Sequence, residues 1–195
     1  MKDNNKRKEN EELESKGDKK EESELMGWIK SIALAIVVAL FIKTFLFSST
    51  YVKGDSMKPT LHEKDRLFSV KITLLVNDPK RGDIVVLEAP DDPKKDYIKR
   101  VIGVGGDLVE IVEGRVIVNQ NVLEEDYIGG NVYTDVYNQD TWEVPEGEVF
   151  VLGDNRARNA SKDSRSFGTI DVDDIKGITS FRYFPFSDGR FGSID

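Results

Sequence analysis

One long apolar run and several short ones stand out along the 195-residue chain. Residues 25–47 are almost continuously apolar, and as a helix they rise about 35 Å, enough to cross the ~30 Å hydrocarbon core of a bilayer. Lys30 and Lys43 lie toward the two ends, where a charged head can reach the interface, and Trp28 sits where an interfacial aromatic would. A cleavable leader or a buried core helix fits less well, because the charged leader is long and the run is apolar on every face. The pattern predicts one transmembrane helix over 25–47.

After residue 48 the pattern changes to short runs rich in valine and isoleucine, which predict strands. These runs cover residues 65–70, 83–88, 97–104 and 148–154. Alternating apolar residues over 107–118, with Glu113-Gly114 between them, predict a hairpin. The polar stretch up to residue 147 is rich in Gly and Asn and predicts a loop, so 113–147 reads as a small cap. Residues 181–192 suggest a last strand, and the fold class predicted for 48–195 is mainly β.

Composition excludes several kinds of site. Residues 1–24 are highly charged and predict a disordered tail without an assigned function. The net charge of -8 argues against nucleic acid as a partner. Without cysteine there is no disulfide or thiol chemistry, and the single histidine, His62, cannot build a zinc site of several His or Cys ligands. We therefore expect no metal and no cofactor, and we interpret His62 as a surface residue.

Four segments contain residues suited to chemistry: GDSMKPTL (54–61), KRGDIVVL (80–87), YIKRVIGVGGD (97–107) and LGDNRARNASKDSRSFG (152–168). Taken singly, each has an ordinary structural explanation. Ser56 lies in a turn with Gly54 and Pro59, Lys99 could point into water from an edge strand, and the last segment could be a surface loop of ion pairs.

Together and in this order behind an apolar span, the four segments resemble the type I signal peptidases, serine proteases with a Ser/Lys dyad. The resemblance covers nearly all of residues 25–170. It implies that Ser56 is the nucleophile, that Lys99 is the general base, and that Ser161 helps to orient the lysine. It also implies a supporting polar segment and shallow pockets for small substrate residues. The residues matched to the polar segment are Asp154, Arg156, Asp163 and Arg165, and those matched to the pockets are Val52, Met57 and Ile98.

Among the departures from the pattern of this family, two bear on the chemistry. Residues 157–160 lengthen the connection before Ser161, on which the register of that serine against Lys99 depends. Gly54 stands where some members have a serine that helps to hold the oxyanion, which leaves the backbone N–H of Ser56 as the expected donor.

The resemblance implies a membrane-bound endopeptidase of the signal peptidase/LexA-like β fold that removes signal peptides after small residues. The expected partners are preproteins and membrane lipid, with a cytoplasmic N-terminus and an extracellular catalytic domain over 48–195. Lys99 could act as a base only when neutral, so its pKa must fall from ~10.4 toward ~7 to 8, which apolar neighbours can bring about.

Two alternatives stay open. A LexA-like autoprotease would use the same dyad, but it would need a DNA-binding helix-turn-helix, of which residues 1–47 give no sign. A membrane-anchored β module could bind a protein partner without catalysing anything. Replacing Ser56 or Lys99 separates that reading from a protease.

Overall fold

The computed structural model describes residues 26–42, 47–71, 74, 77–129, 132–186 and 189–194. The predicted disordered tail, residues 1–24, lies outside this range, as do residues 25 and 43–46 of the predicted span. The chain divides into two compact units, Met1–Thr44 and Phe45–Asp195.

In the first unit, the described residues form a helix, α1, over residues 26–41. Ala, Leu and Ile dominate it, and every one of its side chains is exposed, including Trp28 and Leu34. Ser31 donates a hydrogen bond to the carbonyl oxygen of Gly27 at 3.0 Å, one turn earlier. Among the described residues, no helix combines the length and the apolar character that a membrane crossing requires.

The second unit is mainly β, which confirms the predicted class of this domain. Its described residues form two antiparallel sheets. The larger has eight strands, in the order β1-β2-β11-β3-β4-β9-β10 with β12 paired to β11, and the smaller has the order β7-β6-β5-β8. The strands are β1 Phe47–Tyr51, β2 Arg66–Val70, β3 Ile84–Ala89, β4 Asp92–Val104, β5 Leu108–Val112, β6 Arg115–Val118, β7 Asn121–Val122, β8 Thr141–Glu143, β9 Glu148–Leu152, β10 Ile170–Asp171, β11 Ile175–Phe184 and β12 Gly192–Ser193. The described residues of this unit also include the single-turn 3-10 helices Asp126–Ile128 and Val172–Asp174 and a short helix α2, Ser164–Phe167.

Strands β3 and β9 and the second half of β4 form the buried centre of the larger sheet. Their residues are buried almost without a break because both faces of the sheet are covered here, and residues such as Val85, Val101 and Val151 are fully buried. β4 is thirteen residues long and pairs with β3 along its first part and with β9 from Arg100 onward. A residue in the middle of β4 is therefore held by the core of the domain.

The structure corrects two predicted boundaries. Phe47 is not the last residue of a span but the first of β1, because it pairs with Val70 of β2. The stretch predicted as a loop or cap up to residue 147 contains β8, whose Trp142 pairs with Val109 and packs on Phe150 at a ring-centroid distance of 4.8 Å. A three-residue strand is too short to show an alternating pattern, so only its pairing with β5 reveals it.

Candidate active site

Ser56 lies in the turn that follows β1. Gly54 has a φ of 80°, a left-handed conformation that favours glycine, so the chain can reverse immediately before the serine. Asn155 fixes this turn from the other side: its backbone N–H donates to the carbonyl oxygen of Ser56 at 2.9 Å, and its side-chain amide donates to that of Asp55 at 3.0 Å. Ser56 is half-buried, and the turn keeps its hydroxyl in one place.

Lys99 lies on β4, opposite Val85 of β3, and only 2% of its surface is exposed. Its Nζ is 3.0 Å from Oγ of Ser56, and it donates a hydrogen bond to the carbonyl oxygen of Ile98 at 2.9 Å. The alternative in which this lysine points into water from an edge strand is therefore wrong. Residues that are 43 positions apart in sequence meet within hydrogen-bond distance.

Burial is the main influence on the charge of Lys99. It lowers the pKa of this lysine from 10.5 to about 8, because an ammonium group loses its hydration inside the protein. Asp163 and Asp154 oppose this shift by attraction, and Arg165 adds to it by repulsion. With a pKa near 8, an appreciable fraction of the lysine is neutral at neutral to mildly alkaline pH.

Asp154 and Arg100 form a buried ion pair beneath the Ser56 turn. Nε and Nη2 of Arg100 donate to the two carboxylate oxygens of Asp154 at 3.0 and 2.8 Å, and both side chains are almost wholly buried. Thr60 donates to the same carboxylate at 2.6 Å, and the guanidinium group of Arg100 lies 3.9 Å from the ring centroid of Tyr127. Neither Arg100 nor Tyr127 was predicted, although an arginine beside a lysine in an apolar strand is a signal that a buried acid lies nearby.

Arg156 pairs with Glu125 rather than with an acid of its own segment. Its guanidinium group makes two hydrogen bonds to the Glu125 carboxylate, at 2.5 and 3.0 Å, and one to Thr134 at 3.1 Å. Its Nε donates to the carbonyl oxygen of Gly153 at 2.8 Å. Arg156 thus joins the loop after β9 to the connection after β7, a contact between segments that the sequence could not indicate.

Asp163 and Arg165, which the family resemblance assigns to the same supporting polar segment, form an ion pair with each other. Both side chains have no exposed surface, and two hydrogen bonds of 2.7 and 2.8 Å join them. Asp163 also accepts from the backbone N–H of Gly153 at 3.1 Å and from that of Arg165 at 3.3 Å, which caps α2. The pair fixes the loop that packs against the Ser56 turn.

Ser161 is buried close to this turn. A Cβ atom added to Gly153 would contact both Oγ of Ser161 and, at 2.5 Å, the carbonyl oxygen of Ser56, so the three residues are tightly packed. Within the described part of the chain, Oγ of Ser161 has no hydrogen-bond partner. Its expected role in orienting Lys99 stays a prediction.

A groove of about 980 Å³ leads to the two side chains. Residues 48–54 form one wall and residues 94–99 the other, and Val86 lies between them. Val52, Met57 and Ile98 line the groove next to Ser56 and pack together as part of one buried cluster. The arrangement offers a nucleophile, a base of lowered pKa and apolar walls at one end of an open groove.

The remaining predicted features lie outside the dyad. Arg81 of the segment 80–87 pairs with the Asp107 carboxylate, so this segment ties the start of β3 to the end of β4. His62 is half-buried rather than a surface residue, and its backbone N–H donates to Asp65 at 2.9 Å. No group of three or more His, Cys, Asp or Glu residues in the described ranges could hold a metal ion.

The chain is similar in sequence to known proteins of one family. The sequence profile described as signal peptidase, peptidase S26, matches residues 25–184. Signal peptidase I of Bacillus licheniformis is 40% identical over 187 residues, which cover 91% of this chain and 97% of that protein. Signal peptidase IB of Staphylococcus aureus is 37% identical over 183 residues, covering 86% and 94%. A solved signal peptidase I of Enterococcus faecalis is 36% identical and covers 53% of this chain and 97% of that one, with a TM-score of 0.45.

Proposed function

The chain belongs to the signal peptidase family, peptidase S26, and from this we propose that Ser56 and Lys99 are the nucleophile and the general base with which it works. Its activity is that of the family: it is an endopeptidase that removes signal peptides from preproteins. The observation that supports these two roles best is the 3.0 Å between Nζ of a buried Lys99 and Oγ of Ser56.

The first half of the proposed reaction forms an acyl-enzyme. Neutral Lys99 accepts the proton of the Ser56 hydroxyl while Oγ attacks the scissile carbonyl carbon. The negative charge that develops on the carbonyl oxygen is stabilised by the backbone N–H of Ser56, which donates to no acceptor among the described residues. Lys99, now an ammonium group, gives its proton to the leaving amine, and the C–N bond breaks.

In the second half, water replaces the amine. Lys99, neutral again, accepts a proton from a water molecule, the resulting hydroxide attacks the acyl carbon, and the proton returns to Oγ of Ser56 as the ester bond breaks. The carbonyl oxygen of Ile98 supports the lysine throughout, because it accepts a hydrogen bond from the amine at 2.9 Å and so fixes its direction. We also propose that Ser161 orients Lys99 when substrate is bound.

Substrate selection follows from the groove walls. Val52, Met57 and Ile98 are nearly inaccessible to solvent and line the groove beside Ser56. We propose that they form shallow pockets that accept alanine and other small residues at the positions one and three before the cut, and that larger side chains collide with the walls. Preproteins that have leucine at either position should be cleaved far more slowly than those that have alanine.

We further propose that residues 25–46 anchor the enzyme in the membrane, with the N-terminus in the cytoplasm and the β unit outside. The apolar composition of this run and the exposure of every side chain of α1 support an apolar environment around it. Alkaline extraction of membranes should leave the protein in the pellet. Protease added to intact protoplasts should remove the β unit and spare the tail.

A set of matched variants tests the dyad. The detergent-solubilised full chain is incubated with a preprotein, and the new N-terminus is sequenced. Ser56→Ala and Lys99→Met should each abolish cleavage while the circular dichroism spectrum is retained. The controls Ser180→Ala and Lys80→Met, both exposed and outside the groove, should cleave normally. Undiminished cleavage by either dyad variant refutes the assignment, and absence of cleavage by the unaltered enzyme favours a non-catalytic binding module.

A further inference from the structure

The groove extends well beyond the pockets beside Ser56. Four antiparallel steps, β1 to β2, β11, β3 and β4, separate its two walls, so β1 and β4 run in the same direction. β1 ends at Tyr51, five residues before Ser56, and Lys99 lies within β4. The first residues of both strands line the distal end of the groove, where Lys94 lies five residues before Lys99, a distance of about 17 Å along an extended chain.

Lysines are concentrated at this distal end. Lys94 and Lys95 lie near the start of β4, and Lys71 follows Val70, the residue paired with the first residue of β1. Lys176 lines the groove beside Asp96, the one acidic residue among the described residues of the lining. In a chain of net charge -8, the entrance to the groove is therefore basic.

Ion pairs account for only two of these four lysines. Lys95 pairs with Asp92 at 2.8 Å, and Lys176 pairs with Asp96 at 2.7 Å and with Glu88 at 3.2 Å. No carboxylate of the described ranges lies within ion-pair distance of Lys71 or Lys94, which we call the distal lysines. Their two ammonium groups are left to attract an anion in the groove.

From this arrangement we infer that the distal lysines form a subsite for an acidic side chain of the preprotein, about five residues before the scissile bond. The inference rests on the proposed function, because it takes Ser56 as the point of attack and the Val52 and Ile98 pockets as the upstream side. A peptide that lies extended between β1 and β4 places its fifth upstream residue beside Lys94, since substrate and strand advance by the same ~3.3 Å per residue. An aspartate or glutamate there lies beside the ammonium group of Lys94, in a groove that Lys71 also lines.

Peptides of one sequence, with alanine one and three positions before the cut, test the subsite. They differ only in having Asp or Asn at the fifth upstream position. At low ionic strength the full-length enzyme in neutral detergent should cleave the Asp peptide with about five-fold higher kcat/KM, because exposed ion pairs are individually weak. The preference should appear in KM, since the contact is equal in ground state and transition state. It should fade toward unity at about 1 M salt, where the screening length is ~3 Å.

Two double variants decide the origin of the preference. Lys71→Gln/Lys94→Gln should cleave both peptides at the rate of the Asn peptide, whereas Lys64→Gln/Lys80→Gln, outside the groove, should keep the preference. Equal cleavage of Asp and Asn peptides by the unaltered enzyme overturns the inference, and so does a preference that survives in the first double variant. Failure to cleave even the Asn peptide would instead count against the dyad.

An experiment with lipid vesicles distinguishes whether the distal lysines bind a carboxylate of the peptide or a lipid headgroup. Cleavage of the Asn peptide is measured with vesicles of phosphatidylcholine alone and with added phosphatidylglycerol. If the anionic lipid stimulates the enzyme, and Lys71→Gln/Lys94→Gln removes this stimulation without any Asp preference in detergent, the distal lysines bind lipid and the inference fails. The same modest effect of vesicles on both double variants, with the Asp preference confined to intact distal lysines, supports it.

Discussion

Replacing the buried lysine should stabilise the fold while it removes the activity. In the folded protein the pKa of Lys99 is about 8, against 10.5 for an ordinary lysine. The difference of about 2.5 corresponds to roughly 3 kcal/mol, because each pKa unit is equivalent to 1.36 kcal/mol. Below pH 8 the folded protein has to keep a charged ammonium group in a poorly hydrated site, and a methionine at this position has no such cost.

The direction in which folding stability changes with pH follows from the thermodynamic linkage between protonation and folding. Between about pH 8 and 10.5 the unfolded chain binds a proton at Lys99 that the folded chain has released, so stability rises with pH across this window. Lys99→Met lacks this contribution. Its advantage over the parent should therefore be constant below pH 8 and should shrink by roughly 3 kcal/mol on going to pH 10.5.

Urea unfolding at pH 7, 9 and 10.5 provides the measurement. Ser56→Ala serves as the parent, so that self-cleavage does not interfere, and it is compared with Ser56→Ala/Lys99→Met in the same detergent. Tyr97, whose pKa burial raises to about 12, is present in both chains, so its titration cancels to first order. The exposed Lys80→Met change on the same parent should give no pH-dependent difference. A stability difference for Lys99→Met that does not vary with pH would refute the lowered pKa and the mechanism built on it.

Three further predictions concern the same site. The kcat/KM for a preprotein should rise about ten-fold per pH unit below 8 and level off above it, as Lys99 loses its proton; a flat profile between pH 6 and 9 would contradict the assigned base. Asp163→Asn should lower the free energy of unfolding by about 3 to 5 kcal/mol, because it leaves the Arg165 charge buried without its partner, and a midpoint of urea unfolding close to that of the parent would contradict this. Gly153→Ala should reduce kcat strongly, since the added Cβ lies 2.5 Å from the carbonyl oxygen of Ser56 and must displace the nucleophile turn; normal kinetics would show that the turn can move without loss.

The prediction of the strands succeeded where the apolar signal is strong and failed where strands are very short. The runs rich in valine and isoleucine at 83–88 and 97–104 correspond to β3 and part of β4, and the alternating apolar residues over 107–118 correspond to the β5–β6 hairpin. β8 has three residues and no readable period, so it was taken for loop, although Trp142 makes it part of a hydrophobic core. Tertiary pairing, rather than local pattern, creates such a strand.

The ion pairs show the same limit for side chains. Asp163 and Arg165 are two positions apart, so their pairing could be guessed from the sequence. Asp154, however, pairs with Arg100, which is 54 positions away. Arg156 pairs with Glu125, in a stretch that was expected to be loop. Charges of opposite sign are too numerous in a chain that is 33% charged for sequence alone to select partners.

The sequence alone determined the mainly β class, and it placed a serine at position 56 and a lysine at position 99. Strand periodicity and side-chain chemistry are local properties of the chain, so no tertiary structure is needed to recognise them. Only the tertiary structure decided that Nζ of Lys99 lies 3.0 Å from Oγ of Ser56 and that the lysine is almost wholly buried. The lowered pKa of that lysine depends on how much water the packed sheet excludes, and exclusion of water is a property of the whole fold.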